Sequence, residues 1–219
     1  MKGKVIFFIL LATFFCACNE GQKLESKDGF AVITDVKKGE AVATYAGGCF
    51  WAMQECMLEL RGVNKVISGY SGGTKANPSY DEVLSKTTGH AESVQVYYDP
   101  KVISFEKLTE AFFNSHDPTQ VDGQGPDFGS DYRSIAFYRS PSERIIIQNL
   151  IGKIDSVDGY NKPVVTEVIP FKIIYPAETE HQDYYRKSNW DQYIRNVSRP
   201  KVLKLRKTMP YLIKSEYKD

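Results

Sequence analysis

Short blocks of hydrophobic and polar positions follow one another along this chain, and their spacing predicts both strands and helices. In the segment 91–100, Val94 and Val96 fall on one face of a strand that stops at a proline. The segment 50–62 instead places methionine and leucine at helical spacing and ends in glycine. The same patterns predict strands at 41–48, 63–73, 132–140, 163–170 and 171–175, helices at 104–116 and 141–157, and a helical turn at 181–188.

The order of these elements indicates the fold class. Strands and helices are interleaved around one main sheet, a pattern found in α+β and α/β domains of two layers. Of the two we expect an α+β two-layer sandwich with a ferredoxin-like core, in which helices pack on a mixed β-sheet. The sequence shows neither an internal repeat nor a second domain.

Composition and charge are those of one ordinary globular domain with appendages. The chain has 219 residues, of which 42% are hydrophobic and 25% are charged. Its formal net charge of +1 gives no electrostatic argument for binding nucleic acid. We therefore expect no nucleic-acid partner, and we expect the protein to be a monomer.

The first 17 residues predict a secretory signal peptide. Lys2 and Lys4 precede an apolar run at 5–15 that is too short to span a bilayer. Cys18 follows a small residue, as the lipidated cysteine does in bacterial lipoproteins, so we expect lipidation at Cys18. The alternative is an ordinary cleaved signal peptide with incidental cysteines.

The rest of the chain divides into three predicted parts. Residues 18–40 mix charges with glycine and serine and predict a lipid-anchored tether, residues 41–198 predict the folded domain, and residues 199–219 predict a basic tail. Such basic runs are mostly solvated surface, and contact with an anionic membrane is the alternative. This organisation predicts a protein of the bacterial cell envelope, bound to the membrane through its lipid and facing the periplasm or the surface.

Cysteine usage points to a reactive thiol. Only Cys49 and Cys56 belong to the predicted folded part, which excludes a disulfide framework. An exported protein that keeps so few thiols suggests that one of them reacts.

Cys49 lies where a strand meets a helix. The glycines at 47 and 48 allow a sharp turn. The first turn of a helix favours negative charge, so we expect Cys49 to lose its proton more easily than a free thiol. Phe50 and Trp51 are expected to line an apolar hollow beside the sulfur. The alternative is a structural cysteine between two core aromatics.

Segments around this cysteine resemble a known family. The stretch "GCFW" at 48–51 resembles the active-site signature of A-type peptide methionine sulfoxide reductases. Further segments resemble that family in its order, namely "NPSYDEV" (77–83), "TGHAESVQVYYDP" (88–100), "FFNSHDPTQ" (112–120) and "DFGSDYRSIAFY" (127–138). The resemblance covers residues 41–195, and the ordered set of segments is far more specific than one tetrapeptide.

The resemblance implies a role for each matching residue. Cys49 matches the nucleophile that attacks the sulfoxide sulfur, and Glu92 matches the acid that protonates the sulfoxide oxygen. Tyr80 and Tyr132 match tyrosines that hydrogen-bond this oxygen, and Asp127 matches an acidic residue of the same pocket. Protonation is chemically necessary because the oxygen is a poor leaving group, and burial against aromatic rings keeps a carboxyl group protonated near neutral pH.

The resemblance also implies the substrate. Phe50 and Trp51 match the pocket wall that receives the substrate's ε-methyl group. Distinct enzymes reduce the two epimers of methionine sulfoxide, and the resemblance implies the S epimer, either in oxidised proteins or as the free amino acid. The products are methionine and a sulfenic acid on Cys49, which a thioredoxin-like donor or dithiothreitol then reduces.

The chain departs from the family pattern in three respects. Gln54 stands where glutamate is common, and Asp131 stands where glutamine is common. The C-terminal tail lacks the resolving cysteines of many relatives, which leaves Cys56 as the one candidate for that role. Seven helical residues separate Cys56 from Cys49 by roughly 10 Å, whereas a disulfide needs Cα atoms within about 7 Å. Either the first helical turn unwinds, or, as we favour, an external thiol reduces the sulfenic acid directly.

Two other functions fit the sequence without the family resemblance. A thiol acyl-hydrolase would use Cys49 with His181 and Asp183, and a lipid-anchored binding protein would hold Cys49 as a structural residue. The histidines show no metal-ligand spacing, so we expect no bound metal or other cofactor.

Overall fold

The computed structural model of the chain describes residues 22–157 and 160–218. The predicted signal peptide 1–17 and the predicted lipidation site Cys18 lie outside the described residues. Within the described part, no helix combines the length and the apolar character needed to cross a membrane.

One mixed β-sheet organises the domain. The strands are β1 (Ser26–Lys27), β2 (Phe30–Ala31), β3 (Ala41–Ala46), β4 (Val63–Ser71), β5 (Ala91–Tyr98), β6 (Gly123–Gln124), β7 (Asp127–Phe128), β8 (Ile135–Tyr138), β9 (Glu167–Pro170) and β10 (Ile174–Pro176). The main sheet has the order β10-β4-β5-β3-β8-β9, and its pairs are antiparallel except for the parallel pair β8–β9. The remaining short strands form the two-stranded pairs β1–β2 and β6–β7.

Helices cover one face of this sheet. They are α1 (Phe50–Leu58), α2 (Tyr80–Leu84), α3 (Phe105–Asn114), α4 (Pro141–Asp155), α5 (Tyr184–Lys187) and α6 (Arg199–Thr208). Apolar side chains of α1, α3 and α6 and of the helix-facing side of β3, β4 and β5 form the main core. The architecture is the α+β arrangement of a mixed sheet and packed helices that the sequence predicts.

The two-residue period of β5 decides which side chains face the helices. Val94 and Val96 belong to the main core, as predicted, and Glu92 lies at the same parity on the strand. Tyr97, of opposite parity, packs with Ile67 on the other face of the sheet. Glu92 therefore faces the helical layer even though its side chain is acidic.

The segment before β3 differs from the predicted tether. Its residues 22–40 include the β1–β2 pair, and Ala31 is buried against Ile67 and Tyr97 on the outer face of the sheet. The Gln22 side chain hydrogen-bonds the backbone of Val66. Apolar residues in this segment cover part of the sheet face that the helices leave open, so this part of the chain is packed.

The C-terminal segment differs from the predicted solvated tail. Within it α6 and the residues that follow bury Val202, Leu205 and Ile213 in the main core. Arg206 of α6 makes an ion pair with Glu59, whose side chain is fully buried. The apolar positions and the pairing with buried acid, rather than the net basic charge, determine where this segment lies.

The sequence patterns do not predict one short helix, α2. Residues 77–84 show no helical periodicity, yet α2 begins at Tyr80 through a capping box formed by Ser79 and Glu82. The helix carries Tyr80 toward the helix-covered face. In the C-terminal half, the predicted helical turn at 181–188 consists of a 3₁₀ turn at Thr179–His181 followed by α5.

Candidate active site

Cys49 sits at the junction between β3 and α1. It is the N-cap residue of α1, and only 5% of its surface is exposed. Gly48 before it has φ +82°, and a β-carbon there would collide with the side chain of Gln124. Gly47 is equally confined, since its β-carbon would meet Met53 and Phe112. The two glycines thus let the chain turn and bring the thiol to the start of the helix, as the sequence predicts.

The side chain of Glu92, which extends from the neighbouring sheet, caps the N-terminus of the same helix. The Phe50 N–H donates a hydrogen bond of 2.9 Å to Glu92 Oε2. The first residues of α1 include no acid, and Cys49 makes no capping hydrogen bond of its own. The carboxyl group of Glu92 therefore takes the place of a helix cap directly beside the thiol.

The surroundings of Glu92 keep its proton bound. Burial above all, and then the negative charges of Asp131 and Asp127, raise its pKa to about 8, although the hydrogen bond from the Phe50 N–H acts in the opposite direction. With only 2% of its surface exposed, Glu92 has little access to water. A carboxyl group in this state can donate a proton near neutral pH.

The electrostatic state of Cys49 differs from the sequence-based expectation. Burial and then the nearby Glu92 raise its pKa well above the ordinary value, although the Trp51 N–H and the Tyr193 hydroxyl act in the opposite direction. The position of Cys49 at the start of a helix therefore does not lower its pKa enough to produce a thiolate. Desolvation outweighs the helix terminus because the sulfur is buried. In the ligand-free site Cys49 is a neutral thiol that contacts a protonated carboxyl group.

Aromatic rings form the wall of the site. Phe50 lies 5.5 Å from His181 between ring centroids, and the Tyr80 ring lies 4.2 Å from the same histidine. Trp51 stacks on Tyr184 at a centroid distance of 4.0 Å. The structure thus brings the predicted wall residues Phe50 and Trp51 together, and it adds His181 and Tyr184 to them. Such a surface favours an apolar, methyl-bearing group.

Tyr80 and Tyr132 contribute neutral hydroxyl groups. Both are partly buried beside the main core. Burial raises the pKa of each phenol, and ionisation of the nearby Glu92 or Cys49 would raise it further. The two phenols therefore remain protonated and can donate hydrogen bonds without bringing charge into the site.

Asp127 is held in the site by a residue that sequence reasoning missed. The Tyr193 hydroxyl donates a hydrogen bond of 2.6 Å to Asp127 Oδ2 and also interacts with Cys49. Tyr193 lies just before the π-helical turn at Ile194–Ser198, far from the signature segments in sequence. No local pattern marks it among the 14 tyrosines of the chain, so only the folded structure identifies it.

The hydrolase arrangement is absent. Asp183 accepts a hydrogen bond from Gln22, and its N–H donates to Gln54, so it does not orient His181. Burial lowers the pKa of His181, whose ring packs among aromatic side chains. Without a carboxylate partner, this histidine does not form the predicted alternative triad with Cys49.

Cys56 lies outside the pocket. It is fully buried in the core, and burial raises its pKa to about 12. Helix α1 is continuous from Phe50 to Leu58, so Cys56 stays roughly 10 Å along the helix from Cys49.

In the part of the chain that the structure covers, no cluster of His, Cys, Asp and Glu could hold a metal ion.

Comparisons with known proteins match this chain over most of its length. The family model described as peptide methionine sulfoxide reductase matches residues 41–211. A peptide methionine sulfoxide reductase MsrA of Natronomonas pharaonis is 46% identical over 162 residues, which are 74% of this chain and 91% of that protein. A peptide methionine sulfoxide reductase MsrA 1 of Rhodopirellula baltica is 42% identical over 191 residues, which are 87% of this chain and 98% of that protein.

Two solved structures resemble this chain in fold. The methionine sulfoxide reductase A of Corynebacterium diphtheriae has a TM-score of 0.64 and 30% sequence identity over 71% of this chain and 78% of its own. The reduced form of Mxr1 from Saccharomyces cerevisiae has a TM-score of 0.67 and 30% identity over 72% of this chain and 91% of its own. The family match spans Cys49 through Tyr193 and extends into the C-terminal segment that packs on the core.

Proposed function

The chain belongs to the peptide methionine sulfoxide reductase family and is an oxidoreductase, so we propose a specific reaction for it. We propose that it reduces methionine-S-sulfoxide through Cys49 and Glu92. The observation that carries the proposal is the Glu92 carboxyl group, which accepts the Phe50 N–H at 2.9 Å next to the Cys49 thiol. A nucleophile and a proton donor are thus held at one helix terminus.

The substrate side chain enters the aromatic part of the site. Its methyl group packs against Phe50 and Trp51, and its sulfoxide oxygen accepts hydrogen bonds from Tyr80 and Tyr132. These phenols suit the oxygen because they stay protonated in the buried site. Asp127 holds the Tyr193 hydroxyl beside the sulfur.

The reaction then transfers one oxygen atom from the substrate sulfur to the Cys49 sulfur and two electrons in the opposite direction. Glu92 protonates the sulfoxide oxygen while the Cys49 sulfur attacks the sulfoxide sulfur, and the thiol proton passes to the Glu92 carboxylate. The S–O bond of the substrate and the transient bond between the two sulfur atoms then both break, the hydroxyl group becomes bonded to the Cys49 sulfur as a sulfenic acid, and methionine leaves. The methionine sulfur is reduced, the cysteine sulfur is oxidised, and no metal or prosthetic group takes part in these steps.

Recycling uses an external thiol in this proposal. The continuous helix α1 and the buried, strongly protonated Cys56 support direct reduction of the sulfenic acid over a bridge between Cys49 and Cys56. The donor is a thioredoxin-like protein in the cell or dithiothreitol in the test tube. The enzyme works as a monomer on oxidised proteins or on free methionine sulfoxide.

The N-terminal sequence supports a location in the bacterial cell envelope. We propose that residues 1–17 direct export and that Cys18 carries lipid, which holds the enzyme at the membrane where it repairs exported proteins. Mass spectrometry of the mature N-terminus tests this step. A lipid-modified Cys18 is expected, and an unmodified N-terminus at any other residue contradicts it.

Chirally resolved methionine sulfoxide tests the catalytic proposal. With dithiothreitol present, the purified enzyme should consume the S epimer and leave the R epimer, and Cys49→Ser should abolish turnover. If neither epimer is consumed while Cys49 remains open to alkylation, the catalytic proposal fails.

A further inference from the structure

The N-terminal end of the described chain is fastened to the body of the domain. The Gln22 side chain exchanges two hydrogen bonds with the backbone of Val66, of 2.7 and 3.0 Å, and donates another of 2.7 Å to Asp183 Oδ1. Val66 and Asp183 are both buried. Cys18 precedes Gln22 by four positions, so their Cα atoms are at most about 14 Å apart even in a fully extended chain. A lipid on Cys18 would therefore hold the domain directly against the bilayer.

The attachment of Gln22 indicates which side of the domain lies nearest to Cys18. Asp183 directly precedes α5, which is a single turn of about 6 Å. Beyond α5 the chain reaches Asn189, whose carbonyl oxygen accepts a hydrogen bond of 3.3 Å from Arg195 Nε. Helix α6 begins four residues after Arg195. The surface formed by these segments therefore starts close to the point at which the N-terminal segment joins the domain.

Five exposed residues form what we call the basic face, namely Trp190, Arg195, Arg199, Leu203 and Lys207. The last three are spaced by four positions along α6, so they share one side of that helix. Trp190 is 67% exposed and Leu203 is 40% exposed. Among the described residues, none of the three cations of this face has an ion-pair partner. The face thus presents uncompensated positive charge together with large apolar side chains.

Two adjoining grooves run along the basic face. One lies between α5 and α6, the other lies between α6 and the residues that follow it, and the two meet at Leu203 and Arg206. Arg206 is paired with Glu59, so its charge is compensated. None of the described residues that line either groove is acidic. Besides members of the basic face, the lining includes Tyr185, Asn189, Pro210, Tyr217 and Lys218.

This composition fits the surface of an anionic bilayer. Lysine and arginine gain from the negative potential of such a surface, while tryptophan and leucine enter the region of the lipid headgroups. An acidic protein would satisfy the positive charges as well. The bilayer is favoured because the short connection from Cys18 to Gln22 brings lipid to this side of the domain.

We propose that the basic face is a membrane-docking surface, which lies on the anionic bilayer that holds the lipid of Cys18. This inference rests on the proposed lipidation of Cys18 and is independent of the proposed chemistry at Cys49. Docking gives the domain a fixed orientation on the membrane, whereas a lipid alone would leave it free to turn.

Tryptophan quenching by brominated lipids tests the proposal. The lipidated enzyme is reconstituted into vesicles of phosphatidylcholine alone, or of phosphatidylcholine and phosphatidylglycerol in a ratio of about 7 to 3. The chain has two tryptophans, so the emission of Trp190 is the difference between each protein and its Trp190→Phe variant. Bromine on the acyl chains should quench Trp190 in the anionic vesicles and much less in the neutral ones. High salt should reduce this quenching because it screens the attraction.

A charge variant and a matched control make the test specific. Arg195→Gln/Arg199→Gln/Lys207→Gln should lower the ratio of docked to undocked enzyme by about 10²-fold, so that quenching falls to the level of the neutral vesicles. Lys38→Gln/Lys162→Gln/Lys172→Gln removes the same charge from exposed positions outside both grooves and should be quenched like the wild type. Both variants should still reduce the dissolved S epimer of N-acetyl-methionine sulfoxide, which shows that they are folded.

The outcomes separate this inference from the catalytic proposal. Equal quenching of the wild type and the basic-face variant overturns docking, and so does a face that binds an acidic thioredoxin-like protein while lipid leaves Trp190 unquenched. A Cys18 without lipid in mass spectrometry removes the anchor, and the docking proposal falls with it. None of these results changes the measured turnover of the dissolved sulfoxide. A chain that docks but leaves this sulfoxide unreduced would instead contradict the catalytic proposal alone.

Discussion

Glu92 and Phe50 are joined by a hydrogen bond of 2.9 Å that runs from a helix N–H to a carboxyl group on the adjacent sheet. Through this bond, the acid that we propose for catalysis also serves as the missing cap of α1, the helix that begins at the nucleophile Cys49. Glu92 therefore combines a proposed catalytic role, proton donation, with a structural role, the capping of α1. Substitutions of Glu92 can test the two roles separately.

The first prediction concerns activity. Glu92→Gln keeps an oxygen that accepts the Phe50 N–H but removes the transferable proton, so kcat/KM should fall by about 10²- to 10⁴-fold. In the wild type, kcat/KM should decline as pH rises through about 8, the pKa to which burial raises Glu92. Steady-state assays with the S sulfoxide between pH 5.5 and 9.5 check both. Activity of Glu92→Gln near the wild-type level would contradict the acid role.

The second prediction concerns stability. Folding raises the pKa of Glu92 from 4.5 to about 8, so the folded state is favoured most below pH 4.5 and loses this advantage as the pH rises toward 8. Glu92→Gln remains neutral and escapes this loss. Its Tm should therefore exceed that of the wild type by an amount that grows between pH 5 and pH 8. A constant difference across this range would show that Glu92 does not titrate as the structure indicates.

The sequence predicted which residues the fold brings together better than it predicted their electrostatic states. The ordered motifs contain Cys49 and Glu92, and the two-residue period of β5 explains why an acid faces the helices. The pKa of Cys49 could not be predicted, because it depends on burial and on Glu92, which is distant in sequence. Tyr193 carries no local signal, and its role emerges only where the residues before α6 fold onto the hairpin that carries Asp127.

The third prediction concerns Tyr193. Its hydroxyl donates to Asp127 in the ligand-free site and also interacts with the Cys49 sulfur, so we expect its one proton to turn from Asp127 to the thiolate that forms during attack. Tyr193→Phe should lower kcat/KM by about tenfold, the effect of one lost hydrogen bond to a developing charge. Tyr211→Phe, at an exposed tyrosine, is the control and should have no effect. Equal activity of both variants would remove Tyr193 from the catalytic site.

The fourth prediction concerns Cys56. Cys56→Ala should retain turnover with dithiothreitol and with thioredoxin, because the buried Cys56 is separated from Cys49 by an intact helix. After one turnover without reductant, mass spectrometry with dimedone should detect a sulfenic acid on Cys49. Detection of a bridge between Cys49 and Cys56 would instead mean that the first turn of α1 unwinds during catalysis.

Two arginines of the C-terminal half, Arg186 and Arg206, are tied to the segment of the catalytic helix by ion pairs with buried glutamates. Arg206 makes two hydrogen bonds to Glu59, of 2.7 and 2.8 Å, and the Glu59 side chain has no exposed surface. Arg186 likewise binds Glu55, with both side chains at most 5% exposed. Because both glutamates lie on the C-terminal side of Cys49 along the α1 segment, the C-terminal residues help to hold the helix that carries the thiol.

The last prediction follows from these pairs. Arg206→Met should lower the free energy of unfolding by about 3–5 kcal/mol, because it leaves the buried Glu59 without its charged partner. The double variant Arg206→Met/Glu59→Met should recover most of that loss, since two apolar side chains need no mutual charge compensation. Lys207→Met, at an exposed position of α6, is the control and should change stability little. Urea unfolding of the four proteins gives the free energies. If Arg206→Met unfolds like the control, the C-terminal segment is not the structural support of α1 that its packing indicates.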